Sequence, residues 1–429
     1  MFEEELRRNF EPVYRFLDEK NIYEVRSIAR AFGINAPTSA KKHDLIMRTI
    51  GVAGGISPPE PHTRRGARVK ASDAPPDQLA HIQRLIEQCK RIPSGKIVFA
   101  DSAKSERRVE DVCRGVLELT EEGGRLRCSD RVPGEVFVSP ACIERFCLRE
   151  GDGIYGYMER CGDRQELLQV VELNGGAPVF AARPCFDAFS AEYPAERIPL
   201  GSSEAEILRL LDYIAPVGKG QRLLLALPAG GAREVFARLA SCAAESVHVC
   251  VALIEQRPED LTDVRAAFGR AEVFSASFDM SSREQLSTAR VALERCKRLA
   301  EKGEDALLLL DSLTSLAGAC AAAGEDDLLV RQLFASARRL RGAGTLTVVG
   351  AAQGGPEALY AAANAVWEGP SADGELLAAE RCHTVRAERL LSERERAAAE
   401  ELRRAAEEGG TRAALARFKK IIDDPSIKS

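Results

Sequence analysis

The chain has 429 residues, 45% of them hydrophobic and 29% charged, with a formal net charge of −5. That length supports several domains with sizeable cores, and the mild acidity excludes a polycation that would hold nucleic acid by overall charge. No run of about 18 uncharged apolar residues occurs, so no membrane span is expected, and the acidic start Met1-Phe-Glu-Glu-Glu5 lacks the apolar core of a signal peptide.

Residues 1–50 read as a small helical module. Apolar residues recur at helical spacing over Phe10 to Lys20 and Ile22 to Phe32. Gly33 to Pro37 breaks the pattern, Thr38 or Ser39 can cap a helix from Lys41 to Ile50, and Gly51 is placed to end it. Modules of this pattern hold nucleic acid loosely or serve as accessory domains without a ligand. Residues 51–78 read as a linker rich in Gly and Pro, carrying Arg64, Arg65, Arg68 and Lys70. Those cations can sit on phosphates or simply solvate a tether.

A helical stretch at 76–91 leads out of the linker into residues 79–175, which from 92 turn to short strands between turns. The expected strands are Lys96 to Ala100, Gly115 to Leu119, Gly134 to Val138, Gly153 to Met158 and Glu166 to Leu173. Five short strands of this spacing predict a small barrel of OB type. Such barrels bind single strands through aromatics and cations on one face.

Residues 176–383 alternate apolar runs with helical segments. The runs are 223–227, 247–254, 272–275, 306–310 and 345–350; the helices between them are 233–243, 258–268, 283–302 and 326–341. This alternation predicts a parallel sheet covered by helices on both faces, with ligands at the carboxyl ends of its strands. The first run ends in Pro228-Ala-Gly-Gly-Ala-Arg233, the layout of a phosphate-binding loop at a helix start. A working loop of that type closes with Gly-Lys-Ser/Thr, and here the last two positions are Ala232 and Arg233. Residues 384–429 are charged and Ala-rich with an apolar stripe, and read as C-terminal helices packed on the sheet or forming an oligomer contact. The twelve cysteines are scattered, no Cys-x-x-Cys occurs, and the five histidines do not group with them, so reduced thiols in a cytoplasmic protein are expected.

Several ordered stretches together resemble the bacterial transcription termination factor Rho family. They are Glu135-Val-Phe-Val-Ser-Pro140, Arg145 to Asp152, Ala215-Pro-Val-Gly-Lys-Gly-Gln-Arg222, Ile254 to Thr262 and Ala306 to Ala317. The resemblance implies an OB-type RNA-binding barrel, a RecA-like parallel-sheet P-loop domain, a hexameric ring and RNA-dependent hydrolysis of ATP with magnesium. It also implies RNA as a partner, RNA polymerase or an intact Rho as further partners, and homo- or hetero-oligomers.

Residue by residue, the resemblance implies lost function. The nucleotide-binding loop becomes Pro228, Gly230, Gly231, Ala232 and Arg233, without the Lys for the phosphates or the Thr for magnesium. The water-positioning acid corresponds to Gln256, which is no general base but can orient a water. Asp311 corresponds to the retained metal-binding Asp. Arg381 is a loose candidate for the arginine finger, Gly318 to Asp327 for the RNA-gripping loop, and Asn364 for a second pore position. In the barrel, the stacking aromatics fall at Gly123-Gly-Arg125 and Gln165, while Arg125, Arg127, Phe137 and Arg164 remain as RNA-binding candidates. The expectation is a family member with lost or strongly reduced ATPase and helicase activity and a regulatory role in termination. The alternatives are an active RNA-dependent ATPase using Arg233, Gln256 and Asp311 as substitutes, and a structural subunit that joins a host Rho ring.

Overall fold

The computed structural model describes residues 10–34, 40–54, 111–128, 135–161, 164–178, 183–201, 203–228, 230–259, 267–326, 328–354 and 357–422, with a few short pieces between 74 and 86. The chain divides into two compact units, residues 1–149 with 153–182, and residues 150–152 with 183–429. The first unit takes in the expected helical module and barrel. The second takes in the sheet domain and the C-terminal helices.

The helical module consists of α1 (Glu11–Asp18), α2 (Ile22–Ala31) and α3 (Lys42–Ala53). Asn21 caps α2 by accepting from the Tyr23 and Glu24 amides, and Glu24 reaches back to the Asn21 amide, a reciprocal arrangement that satisfies the orphan donors of a helix start. Val13, Leu17, Val25, Ile28, Leu45, Ile46 and Ile50 meet in one apolar core. Gly51 does not end α3, which continues to Ala53; burial of Gly51 in this core outweighs its weak helix propensity. The expected caps at Thr38 and Ser39, most of the 51–78 linker with its four cations, and much of the 76–91 helix lie outside the described residues.

The barrel is closed, in the order β1-β2-β3-β5-β4. Its strands are β1 (Asp111–Thr120), β2 (Gly123–Cys128), β3 (Val136–Val138), β4 (Gly153–Cys161) and β5 (Arg164–Leu173), with the short helix α4 (Pro140–Arg145) between β3 and β4. The expected strand at 96–100 lies outside the described residues. The second strand is β2, which the glycines at 123 and 124 disguise as a turn. Both are needed: a Cβ at Gly124 would stand 2.7 Å from the Leu117 side chain on the neighbouring strand.

Among the described residues, the second unit carries a nine-stranded sheet. Strands β7 (Arg222–Ala226), β8 (His248–Gln256), β9 (Glu272–Ser277), β10 (Asp305–Asp311), β12 (Thr345–Ala352) and β13 (Ala365–Glu368) run parallel in the order β13-β7-β12-β10-β8-β9. Strand β14 (His383–Thr384) adds antiparallel at one edge, β11 (Arg338–Leu340) pairs antiparallel with β12, and β6 (Ala191–Glu192) pairs antiparallel with β11. The helices are α5 (Glu206–Ile214), α6 (Gly231–Ala243), α7 (Ser282–Lys302), α8 (Leu313–Ala323), α9 (Leu328–Ala335), α10 (Glu357–Ala362) and α11 (Glu393–Ile422). β12 is buried along its whole length, as a strand covered on both faces must be.

Two expectations need correction. The helix expected over 326–341 stops at Ala335, and Arg338–Leu340 becomes β11, because those residues pair with β12 and β6. The strands β13 and β14 were not expected; Trp367 in β13 is fully buried, and its Nε1 donates to the Ala215 carbonyl at 2.9 Å. The C-terminal residues Leu402, Ala406, Ala414, Leu415, Phe418 and Ile421 enter the core of the sheet domain, so α11 packs on the sheet.

Segment 215–222 is held at the amino end of β7. Gly220 has φ +94°, and a Cβ there would stand 2.6 Å from the Arg339 amide nitrogen. Its own amide donates to Thr347 Oγ1 at 2.9 Å. Gln221 Oε1 accepts from the Gly218 amide, and Lys219 pairs with Glu196 and Asp305. These bonds lock a sheet corner, at the end of β7 away from the loop at 228–233. Among the described residues, no helix is long and apolar enough to cross a membrane.

Candidate nucleotide site and nucleic-acid interface

The carboxyl ends of β7, β8 and β10 carry the expected site. After β7 the chain turns at Pro228, whose carbonyl accepts from the Gly231 amide at 3.1 Å. Gly230 precedes α6 at φ +82°, a left-handed conformation that a glycine adopts without strain. The loop and the helix start therefore have the layout of a phosphate cradle. Its side chains do not follow that use. Ala232 is buried and belongs to the apolar core of the domain.

Arg233 lies in the first turn of α6, and its Nη2 donates to Gln256 Oε1 at 2.7 Å. Gln256 Nε2 in turn donates to the Ile254 carbonyl at 3.0 Å. A register shift between Ile254 and Gln256 leaves Glu255 as an extra residue at φ +61°. Such a bulge re-aims the next side chain; here that side chain is Gln256, 8% exposed and held at both ends of its amide. Asp311 ends β10. Burial pushes its carboxyl above the ordinary carboxylate range, and the Arg233 guanidinium offsets part of that shift. Loop, Gln256 and Asp311 are thus brought together as expected, with a guanidinium among them.

These residues do not fit magnesium-bound ATP. Magnesium takes hard oxygen ligands in a demanding octahedral geometry. The hydroxyl that would stand beside Asp311 is replaced by a permanent cation, and no ammonium follows Gly231. A cation in the first turn also opposes the helix dipole, which Glu234 in the same turn favours.

The other candidates are engaged structurally. Arg381 Nη1 donates to Glu368 Oε1 at 2.6 Å. Asn364 Oδ1 accepts from the Arg222 amide at 2.7 Å, and Arg222 reaches the carbonyls of Ala362 and Ala337. Residues 318–323, expected within a loop, complete α8, which Gly324 ends in a left-handed conformation. Ser312 caps that helix through the Ser315 amide, and Thr314 Oγ1 accepts from the Gln353 amide, tying the end of β12 to it.

In the barrel, β1 sets Glu118 opposite Arg125 on β2. Glu118 is 3% exposed. It accepts from Arg125 at 2.8 and 3.1 Å and from Arg127 at 2.6 Å, and Arg125 also reaches Glu135 at 2.7 Å. Both cations engage the buried carboxylate of Glu118, and Arg125 shares its charge with Glu135. On β3, the Phe137 ring carries the Arg164 guanidinium 3.5 Å from its centroid, a stabilising contact that covers the face a base would stack on. The four candidates Arg125, Arg127, Phe137 and Arg164 are therefore neighbours, and each already has a partner within the barrel.

One cluster was missed. The sequence reading kept histidines and cysteines apart, yet His248, Cys250 and Glu272 converge. The signal was available: His248-Val-Cys250 on a strand places both side chains on one face.

Residues 208–325 match the model of the ATP synthase alpha/beta family, nucleotide-binding domain. The chain is 37% identical over 264 residues to the transcription termination factor Rho of Streptomyces coelicolor, covering 56% of this chain and 62% of that protein. To the Rho of Allochromatium vinosum it is 32% identical over 298 residues, covering 62% of this chain and 71% of the relative. Among solved structures, an ATPase of a type III secretion system matches with a TM-score of 0.44 and 16% identity, over 56% of this chain and 78% of that one. The chain spans less than two thirds of the length of the Streptomyces relative.

Proposed function

The chain belongs to the transcription termination factor Rho family, and from that premise we propose that it is a member without ATP turnover, acting in termination by a regulatory route. The observation that carries the proposal is the Arg233–Gln256 bond at 2.7 Å. A guanidinium stands where the family's loop needs a hydroxyl for magnesium, and it occupies the amide that would otherwise orient a water. Ala232, in place of the family's Lys, leaves the phosphates without a charge-assisted donor, a bond worth about 1.5–3 kcal/mol. Three losses at one site are cumulative, since positioning and electrostatic stabilisation supply nearly all of phosphoryl-transfer catalysis.

RNA binding, in this reading, is weakened for the same kind of reason. Arg125 and Arg127 neutralise Glu118, and Arg164 caps Phe137. The ring-forming fold persists while both chemistries recede, which suits a subunit that joins or modulates an active assembly. The test is RNA-stimulated ATP hydrolysis by the full chain. No turnover above background is expected; turnover that disappears with Asp311→Ala would overturn the proposal.

A further inference from the structure

The cluster at His248, Cys250 and Glu272 lies at the opposite end of β8 from Gln256, about 26 Å away by the rise of a strand. β8 pairs in parallel with β9 so that Cys250 stands opposite Glu272. One imidazole nitrogen, one sulfur and one carboxylate oxygen lie within 4.8 Å of one another. His248 Nε2 is 3.3 Å from Glu272 Oε1, and Cys250 Sγ is 3.9 Å from Glu272 Oε2. Tetrahedral zinc with ordinary bond lengths sets nitrogen–oxygen and sulfur–oxygen edges of about 3.4 and 3.6 Å. The imidazole lies close to that spacing from Oε1 and the thiol close to it from Oε2, so a small turn of the carboxylate brings one oxygen to both.

We propose that His248, Cys250 and Glu272 bind a thiophilic divalent cation of the Zn²⁺ class as three of its four ligands. Cys250 closes the site from inside, being fully buried. His248 and Glu272, with side chains 34% and 32% exposed, form its mouth. A thiolate and a carboxylate offset much of the positive charge of the dication and of Arg295 beside it, and the sulfur selects a soft ion over magnesium or calcium. Arg295 donates to both Glu272 oxygens, from Nε at 2.8 Å and Nη2 at 3.0 Å. An ionised carboxylate offers about four lone-pair sites, so it can hold the guanidinium and the metal together. Arg295 then fixes the carboxylate's orientation, the usual task of an outer-shell partner.

The experiment titrates the reduced full chain with Co²⁺ and then displaces it with Zn²⁺. One equivalent is expected to bind, with a near-ultraviolet sulfur-to-cobalt charge-transfer band that one equivalent of Zn²⁺ removes. Cys250→Ser abolishes that band. His248→Ala, at the exposed mouth and so tolerated by the fold, weakens Co²⁺ by more than the roughly 10–100-fold that an outer-shell change costs. Circular dichroism of the metal-free variants checks that they fold. Absence of the band in the unaltered chain overturns the proposal. So does a band that survives Cys250→Ser, or one lost with Cys296→Ser, the neighbouring thiol that interacts with Cys250.

Discussion

Arg233 is where one side chain decides most. Its guanidinium bonds Gln256 and offsets part of the burial-driven shift at Asp311. Removing it alone leaves the loop without a phosphate donor, so restoration needs two changes. The double substitution Ala232→Lys with Arg233→Thr places an ammonium and a hydroxyl at the helix start. Ala232 is buried among apolar neighbours, but a lysine stem can lie along such surface and carry its charge outward. Calorimetry with ATP and magnesium is expected to show no binding by the unaltered chain and binding by the double variant. Each recovered charge-assisted bond is worth about 1.5–3 kcal/mol, one to two decades in affinity. No binding by the double variant would place the loss beyond this loop. The sequence showed both substituted letters; it did not show Arg233 meeting Gln256, because that contact depends on the bulge at Glu255.

Among the elements, long apolar strands were legible and exceptions had local causes. β10 and β12 read as continuous apolar runs because both their faces are covered. β2 escaped because Gly123 and Gly124 signal a turn, while their function is close strand approach. β13 escaped because Trp367 is packed by tertiary contacts, to Ala215 above all, that no local pattern announces. In the barrel, the cations were legible as candidates but their partner was not: Glu118 meets them only across the β1–β2 ladder. Glu118→Gln removes the charge that Arg125 and Arg127 share, leaving Arg125 on Glu135, and is expected to strengthen binding of single-stranded RNA. Fluorescence anisotropy at several salt concentrations reads this directly. Each cation newly placed on a phosphate steepens the salt slope by about 0.7, so two would add about 1.4. Unchanged affinity and slope would mean that these arginines do not face RNA. In α11, non-helical Gly409 and Gly410 precede Thr411, fully buried, whose Oγ1 accepts from the Ala379 amide at 2.9 Å and donates to Glu380 at 2.9 Å. Thr411→Val keeps the shape and orphans that amide. A loss of about 1–3 kcal/mol is expected in denaturant unfolding; a neutral result would show that the α11 corner is held by packing alone.

At the scale of the whole molecule, the stretches that mark the family are separate, on the proposed reading, from the residues that would do its chemistry. Segment 215–222 keeps its glycine corner, its Gln221 bond and its Lys219 pairs because they hold the sheet together. Among the described residues, none of these bonds reaches the loop at 228–233. On that reading, sequence likeness to the Rho family is carried in this segment by residues under structural constraint, and does not depend on Ala232, Arg233 and Gln256. The direct test of this separation is the steady-state rate of ATP hydrolysis by the purified full-length chain, with single-stranded RNA in excess. A rate equal to background, unchanged by Asp311→Ala, is predicted. A rate that RNA stimulates and that Asp311→Ala eliminates would contradict the account.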